Sequence, residues 1–346
     1  MLYVNRPNVT AVWKAAAPGG HSLILNGHID VVPVSSPELW SHAPWGGEIE
    51  GDWLYGRGAA DMKGGIVAML LAIQAIRSAG IELAGNVTIQ SVIEEEATGN
   101  GSLACLLRWQ RADTAIVPEP IQGIAAGVGI MWFRIRIQGP AEHIYGTYKS
   151  SNPIDKLIPI ITGLRGLEAE LNAQVTHPLY RQVEHLINLN FGIIRGGDWP
   201  SSTPTEVQIE CRIGTEPGHT LAETQARVRS TVADVAQQDP YLREHPPMVE
   251  FFGCRAEPSV ANAGGPATTL LSDINQEMGG KPVTLVPFTG NTDARFLVNH
   301  LGIEATCFGP VGERFHVRDE RVSISSIKHV ARVIALFILR WCKIAN

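Results

Sequence analysis

The chain has 346 residues, 45% hydrophobic and 18% charged, with a formal net charge of −6 and no basic block. This composition predicts a soluble protein with room for two domains and disfavours nucleic-acid binding as the main role. Five cysteines without C-x-x-C spacing argue against a disulfide framework or thiolate metal site and favour a reducing, cytoplasmic location. No membrane partner is expected, because residues 1–10 lack an apolar signal core and the apolar stretch 333–339 is too short to span a bilayer.

Strands and helices alternate in the chain up to residue 120. A buried strand bounded by Gly and Pro is predicted at 22–27. The other elements of this part, in chain order, are a helix at 62–80, a strand at 86–93, a helix at 101–109 and a strand at 114–120. Strands that alternate with helices indicate βαβ units, and therefore an α/β fold with a mixed, mainly parallel sheet flanked by helices.

The pattern changes at about residue 124 to the order β-α-β-β-α-β, which is typical of a ferredoxin-like unit. Its predicted elements are 130–139, 152–171, 185–197, 205–214, 220–238 and 247–253. We therefore predict an α+β domain at 124–255, inserted into a discontinuous domain formed by 1–123 and 256–346. The α/β style then resumes with a helix at 266–279, a strand at 281–288, a helix at 292–302, a strand at 304–309 and a last helix from about Ser325.

Polar side chains stand where the predicted strands end, and ligands of open α/β sheets bind at the carboxyl ends of strands. These residues are His28, Asp30, Asp61, Glu94, Glu95, Glu96, Glu119 and His316. Taken singly, each has an ordinary explanation, such as a helix N-cap for Asp61 or a solvated acidic turn for Glu94–Glu96. Taken together, two histidines and several carboxylates at one sheet edge favour a shared ligand.

A pair of divalent cations accounts for this cluster, because two neighbouring ions need a bridging carboxylate, with a histidine and a carboxylate completing each ion. Nitrogen and oxygen ligands without thiolate suit zinc, and also cobalt or manganese. Asp30 would then orient His28 and raise its basicity. Of the adjacent Glu95 and Glu96, one would bind metal and the other would take a proton from water as general base. A phosphate loop at 56–61 is a weaker alternative, because its third glycine is missing.

Six motifs occur in order between about Arg6 and Val322: NGHIDVVP, GRGAADMKGG, VIEEEATGNGS, VPEP, NTDARF and GP…FH…DE. Together they resemble the acetylornithine deacetylase / succinyl-diaminopimelate desuccinylase family of two-zinc amidohydrolases. Relatives of that family include aminoacylases, dipeptidases and glutamate carboxypeptidases. The resemblance implies a zinc-peptidase-like catalytic domain and an inserted lid domain that carries the interface of a homodimer.

The resemblance also implies a role for each matching residue. Asp61 would bridge both metal ions, and Glu95 would be the general base. His28 and Glu119 would complete the coordination of the first ion. Glu96 and His316 would complete the coordination of the second ion.

The inserted domain of the family carries a histidine that reaches into an active site, often that of the neighbouring subunit, to stabilise the oxyanion. His143 in GPAEHIYG stands in that place, although by itself it could be a surface histidine. Arg212 resembles an arginine that holds the substrate carboxylate, a task that suits a planar guanidinium; the alternative is an exposed strand arginine. Arg295 is expected to line the substrate pocket or to pair with Asp293.

The implied reaction is hydrolysis of the amide bond of a small-molecule N-acyl-L-amino acid, as in acetylornithine deacetylase. Glu95 would move a proton from metal-activated water to the leaving amine, and His143 would stabilise the oxyanion. A dipeptidase or metallocarboxypeptidase with the same metals is the alternative. A non-catalytic metal-binding relative is a further one, which the intact Glu95 disfavours. Glu rather than Asp at position 119 favours acyl-amino-acid or carboxypeptidase chemistry, by analogy.

Two departures from the family pattern stand out. Members normally carry a leading segment with a helix, whereas this chain begins almost directly in a strand. That implies a misassigned start or a missing covering helix, with an effect on stability more than on chemistry. The stretch before Glu119 is VPEP rather than a glycine-led turn, which we expect to be harmless.

Overall fold

A computed structural model describes residues 5–108, 110–140, 142–149, 151–261 and 264–345. Residues 1–4 and the last residue of the predicted helix 101–109 lie outside the described residues. The chain forms two compact units, each described here by itself. The first comprises Met1–Ala125, Val260–Pro287 and Thr292–Asn346, and the second comprises Ala126–Ser259 and Phe288–Asn291. The predicted inserted segment, 124–255, does not include Phe288–Asn291, a later stretch of chain that also belongs to the second unit. The predicted roles of the inserted segment as a lid and as a dimer interface stay predictions.

Strands and helices alternate along much of the chain, and short helical turns join some of them. The strands are β1 (Val9–Trp13), β2 (Leu23–His28), β3 (Ile49–Glu50), β4 (Trp53–Tyr55), β5 (Val87–Val92), β6 (Thr114–Val117), β7 (Ile124–Gly127), β8 (Gly129–Gln138), β9 (Asn190–Gly196), β10 (Glu206–Thr215), β11 (Met248–Ala256), β12 (Ser259–Val260), β13 (Val286–Phe288), β14 (Glu304–Cys307), β15 (Gly312–Glu313) and β16 (Arg321–Ser323). The α-helices are α1 (Gly64–Ser78), α2 (Asn100–Leu107), α3 (Pro153–Ala173), α4 (Leu221–Gln237), α5 (Pro240–Glu244), α6 (Pro266–Glu277), α7 (Ala294–Phe296) and α8 (Ile324–Trp341).

The first unit is built on a five-stranded sheet in the order β1-β5-β2-β6-β14. Strand β2 runs parallel to both β5 and β6, and β14 runs parallel to β6. The edge strand β1 is antiparallel to β5. Both β2 and β6 are buried along their whole length, as expected of strands covered on both faces. The predicted mixed, mainly parallel α/β class is confirmed.

The core of the first unit lies between the central sheet and the helices α1 and α8. Leu25 of β2, Met69 and Ala72 of α1, and Ile334 and Phe337 of α8 are buried together there. The segment Ala59–Ser78 is long and apolar enough to cross a membrane by length and composition alone. Its inner face packs in this core, so the apolar sequence is accounted for by burial within the unit.

The start of the first long helix differs from the prediction. The pattern predicts a helix from residue 62, whereas α1 begins at Gly64 and Asp61 makes no N-cap hydrogen bond. Asp61 instead has non-helical angles, φ −113° and ψ 96°, and its side chain contacts His28 and His316. Gly58 opens this turn with φ +78°, and a Cβ there would overlap the side chain of Val31. Glycine is therefore required at this position.

The second unit has a four-stranded antiparallel sheet in the order β11-β8-β10-β9. With α3 and α4, these strands follow the chain order β-α-β-β-α-β that the sequence predicts. Burial alternates along β8, so Phe133 and Ile135 pack in a core with Leu164 of α3 and Val228 of α4. The buried Tyr180 donates a hydrogen bond to the carbonyl of Phe288 at 3.1 Å, which attaches the segment Phe288–Asn291 to this unit.

Glu168 of α3 forms hydrogen bonds with the segment that precedes β9. Its carboxylate accepts hydrogen bonds from the backbone N–H of Leu189 at 2.7 Å and from Arg165 at 2.6 Å, and contacts His185 at 3.2 Å. Burial would raise the pKa of Glu168, but the hydrogen bonds of Leu189 and Arg165 lower it below 4.5. The pKa in the folded state is thus below that of the unfolded state. The stabilisation is present above the unfolded pKa and is lost as the pH falls through the folded pKa.

We expect Glu168→Gln to lower the free energy of unfolding at neutral pH by about 1–3 kcal/mol, because a carboxylate that accepts several hydrogen bonds is lost. Urea unfolding at neutral pH and again well below the ordinary glutamate pKa measures the effect. The difference from wild type should shrink at the acidic pH. The control is Glu170→Gln, whose ion pair with Arg227 lies on the exposed side of the helix and should matter little. A deficit of equal size at both pH values would contradict this account.

Candidate metal centre

Three neighbouring parallel strands bring the predicted site residues together. Strand β2 ends at His28, β5 is followed by Glu94–Glu96, and β6 is followed by Glu119. Because β5, β2 and β6 are adjacent and parallel, their carboxyl ends lie at one edge of the sheet. The turn before α1 adds Asp61, and the loop after β15 adds His316.

Asp61 lies between the two histidines of this edge. One carboxylate oxygen, Oδ1, is 3.0 Å from His28 Nε2, and the other, Oδ2, is 3.1 Å from His316 Nε2. His316 Nε2 is also 3.0 Å from a carboxylate oxygen of Glu96. His28 Nε2 lies 3.6 Å from a carboxylate oxygen of Glu119. A carboxylate that directs one oxygen toward each histidine fits the bridging role that the sequence predicts.

Two overlapping sets of side chains have ligand atoms that all lie within 4.8 Å of one another. The first is His28, Asp61 and Glu96, and the second is His28, Glu95 and Glu119. Imidazole nitrogen and carboxylate oxygen, without thiolate, form a donor set suited to zinc, cobalt or manganese. The second set includes Glu95, for which the sequence predicts the role of base. Glu95 therefore lies where it could act either as a metal ligand or as the general base.

The acidic groups of this edge are buried to a degree that calls for a cation. Burial raises the pKa of Glu119 well above 4.5, and the charges of Asp61 and Glu95 raise it further. Burial also raises the pKa of Glu95 to about 8. Carboxylates crowded together away from water are costly unless positive charge compensates them. The residues therefore fit a pair of divalent cations.

The histidines respond to the same negative charge. Burial alone would lower the pKa of His28, but the hydrogen bond to Asp61 and the nearby glutamates outweigh it and raise the pKa to about 10. Hydrogen bonds to Asp61 and Glu96 raise the pKa of His316 to about 10 as well. Because a histidine ligand must be neutral, metal binding here would release protons.

Asp30 connects the end of β2 to the acidic turn after β5. His28 Nδ1 donates a hydrogen bond to the backbone carbonyl of Asp30 at 3.0 Å, and the Asp30 carboxylate is 3.6 Å away. That carboxylate accepts a hydrogen bond from the backbone N–H of Glu96 at 3.3 Å. The arrangement directs His28 Nε2 toward Asp61. The orienting contact with His28 therefore runs mainly through the main chain of Asp30, and a role for its carboxylate in catalysis stays a prediction.

Arg295 lies beside the candidate base and is only 5% exposed. Its Nη1 is 3.9 Å from Glu95 and 3.7 Å from Asp293. Ser102 donates a hydrogen bond to Asp293 at 2.6 Å and accepts one from Asn26 at 2.8 Å. Sequence reasoning paired Asp293 with Arg295 but missed the link through Ser102 and Asn26. Binding of substrate by Arg295 stays a prediction.

The remaining predicted site residues, His143 and Arg212, belong to the second unit. His143 is exposed, and its Nδ1 accepts a hydrogen bond from the backbone N–H of Tyr145 at 3.2 Å. Arg212 lies on β10 opposite Trp132 of β8 and Asn190 of β9. Burial lowers the pKa of Arg212. The roles of His143 and Arg212 toward the substrate stay predictions.

Comparison with known proteins identifies the group of enzymes to which these residues belong. The sequence profile described as Peptidase family M20/M25/M40 matches residues 24–340. The chain belongs to this family. The predicted resemblance is confirmed, and with it the class of enzyme, a hydrolase that acts on amide C–N bonds. The further alternative of a non-catalytic relative loses its support.

Two relatives of this M20 chain carry names that state a reaction. An N-formyl-4-amino-5-aminomethyl-2-methylpyrimidine deformylase from Halalkalibacterium halodurans is 31% identical, over 99% of this chain and 84% of the relative. A succinyl-diaminopimelate desuccinylase from Methylocella silvestris is 28% identical, over 95% of this chain and 84% of the relative. Both are named for removing an acyl group, formyl in the first and succinyl in the second.

Solved structures share the fold of this M20 chain. The M20 family metallo-carboxypeptidase Sso-CP2 from Sulfolobus solfataricus has a TM-score of 0.76 at 18% identity, over 95% of this chain and 87% of that chain. The Bacillus subtilis YXEP protein, described as a dinuclear metal binding peptidase from the M20 family, has a TM-score of 0.59 at 14% identity, over 96% and 85% of the two chains. Dinuclear metal binding therefore occurs within the family.

Proposed function

We propose that this M20 chain is a two-metal hydrolase that removes an acyl group from the nitrogen of a small amino compound. The observation that carries the proposal is Asp61, which directs one oxygen to His28 and the other to His316. Glu95 lies beside this arrangement as a base. The two relatives support the acyl-removing reaction by their names, and they extend the amine part of the substrate from an amino acid to other amino compounds.

The ligands divide into two groups around Asp61. His28 and Glu119 would hold one ion, Glu96 and His316 would hold the other, and Asp61 would contact both. We propose zinc as the native metal, because neutral imidazole and carboxylate ligands suit it. Cobalt or manganese fits the same donors and serves as a probe.

Bound divalent cations would lower the pKa of water and polarise the amide carbonyl. Glu95 accepts a proton from the attacking water and passes it to the leaving amine. Burial raises the pKa of Glu95, whereas bound cations would lower it, and these opposing effects suit a group that both takes and returns a proton. His143 donates a hydrogen bond to the developing oxyanion. Arg212 binds a substrate carboxylate through its two parallel N–H groups.

A panel of substrates tests this reaction. We expect the zinc- or cobalt-loaded protein to release free amine from N-formyl, N-acetyl and N-succinyl compounds faster than from dipeptides. Chelated protein should release none. Turnover of dipeptides alone would favour the dipeptidase or carboxypeptidase alternative, which the family description also supports. Folded protein with two bound ions and no turnover of either class would contradict the proposed function.

The same panel tests Arg212 if each acyl group is presented on amines with and without an α-carboxylate. We expect Arg212→Met to raise KM only for the amines that carry the carboxylate. Arg195→Met is the control, because Arg195 lies on the exposed neighbouring strand β9. An equal effect of Arg212→Met on both kinds of amine would contradict carboxylate binding.

Two further features stay proposals. We propose a homodimer formed through the second unit, where β9 is an edge strand that exposes Ile193 and Ile194. A cytoplasmic location, inferred from cysteine usage, is likewise a proposal. The substrate is a small molecule, and the negative net charge supports neither nucleic acid nor a membrane surface as partner.

A further inference from the structure

Glu320 forms a dense set of hydrogen bonds in the first unit and is only 1% exposed. One carboxylate oxygen accepts hydrogen bonds from Arg57 Nη1 at 2.6 Å and from the backbone N–H of Gly58 at 3.0 Å. The other accepts from the backbone N–H of Ala60 at 2.9 Å and of Asp61 at 3.0 Å. Four donors from one short segment therefore converge on a single side chain.

The bonded segment, residues 56–61, is the one that carries the bridging aspartate. It is not held by a regular helical ladder, since Gly58 has a positive φ and Asp61 has non-helical angles. The backbone carbonyl of Glu320 adds a fifth bond, which it accepts from the N–H of Gly56 at 2.9 Å. Holding the N–H of Asp61 fixes the origin of the side chain that reaches both His28 and His316.

A simpler explanation is that Glu320 only neutralises the buried Arg57. Arg57 is 6% exposed, and its guanidinium lies 5.1 Å from the ring centre of Trp40. A buried cation does need a counter-charge. However, three of the four bonds to the carboxylate come from backbone N–H groups rather than from Arg57. Charge balance alone does not account for those three contacts, whereas placement of the segment does.

We propose that Glu320 is a positioning residue of the metal centre, which holds residues 56–61 so that the Asp61 oxygens stay directed toward His28 and His316. The inference rests on the proposed bridging role of Asp61. Hydrogen-bond partners that orient metal ligands typically alter metal affinity about 10–100-fold when they are replaced. Glu320 should therefore control metal affinity without contacting metal.

The test is zinc affinity of the full chain, measured by competition with a chromophoric chelator, together with the absorption spectrum of the cobalt-loaded protein. Glu320→Gln keeps the size of the side chain but places N–H donors against N–H donors. We expect about 10–100-fold weaker zinc binding and an altered cobalt spectrum, with cooperative unfolding retained. Glu313→Gln is the matched control, since Glu313 forms an exposed ion pair with Arg321 at 2.6 Å. It should bind zinc as wild type does.

Each outcome separates the inference from the proposed function. Wild-type protein that binds no zinc overturns both. Wild-type protein that binds two ions, with unchanged affinity in Glu320→Gln, overturns the inference alone, even if the variant unfolds at lower temperature. If Glu320→Gln does not fold, the double variant Arg57→Met/Glu320→Gln removes both buried charges. Weak zinc binding by that folded variant supports positioning, and wild-type affinity overturns it.

Discussion

Glu95→Gln should lower kcat for amide hydrolysis by about 10²–10⁴-fold, because glutamine has nearly the same shape but cannot take a proton from water. Both metal ions should stay bound, since the proposed ligands are unchanged. Release of amine from an N-formyl or N-succinyl substrate gives kcat, and elemental analysis of the same sample gives metal content. A catalytic defect at full metal occupancy would identify Glu95 as the base.

The neighbouring glutamate provides the matched control for this substitution. Glu94 precedes Glu95 in the same turn, but its carboxylate pairs with Arg6. Glu94→Gln should therefore leave kcat within a few-fold of wild type. Loss of an ion from Glu95→Gln would instead make Glu95 a ligand, in line with its place near His28 and Glu119. Wild-type kcat in the variant would contradict both roles.

Asp61→Asn should weaken both metal ions together, and by more than the factor of about 10–100 expected for a residue that only orients a ligand. The physical reason is that one carboxylate faces both histidines. Burial would raise the pKa of Asp61, but its hydrogen bonds to His28 and His316 lower it, so the group is an anion at neutral pH. Calorimetric titration of the metal-free variant with zinc measures affinity and stoichiometry at once.

Two other variants serve as comparisons that test whether Asp61 bridges two ions. His316→Ala should weaken one ion only, because His316 contacts Asp61 and Glu96 but not Glu119 among the contacts that the described residues make. Asp52→Asn should leave zinc binding unchanged, since Asp52 accepts hydrogen bonds from Ser323 and Ser325 at the start of α8. Loss of a single ion from Asp61→Asn would contradict bridging.

The parts of the fold with strong hydrophobic patterns were the predictable ones. Continuous apolar runs locate β2 and β6, because strands of a parallel sheet are buried on both faces. Strand β1 was predicted only as a strand near the start of the chain, without bounds, since four of its five residues are exposed at the sheet edge. Of the predicted strand 281–288, only β13 (Val286–Phe288) is a strand in the structure. Which residues of such a segment pair with a neighbouring strand depends on tertiary contacts that the sequence does not reveal. Strands of two or three residues are too short for any period to appear.

The candidate site was predictable wherever it follows from strand ends. His28 is the last residue of the buried strand β2 and Glu119 follows the buried strand β6, so the sheet-edge rule brings them together. His316 stands in a loop with φ +65°; the sequence places it after the strand at 304–309, and the family motif assigns it to one ion. Glu320 contacts Ala60 across 260 positions of chain, and Ser102 contacts Asp293 across 191. Contacts of such long range leave no local periodicity or spacing in the sequence.

The first unit is assembled from the two ends of the chain, and this has a consequence for biosynthesis. Its sheet needs β14 beside β6, and its core needs α8 against α1, so residues 126–259 are translated before these partners exist. We expect the second unit to fold on the ribosome while the first remains open. Pairings this remote in sequence close slowly. The emerging polypeptide would therefore expose the apolar face of α1 until α8 is made, which makes it a client for chaperones.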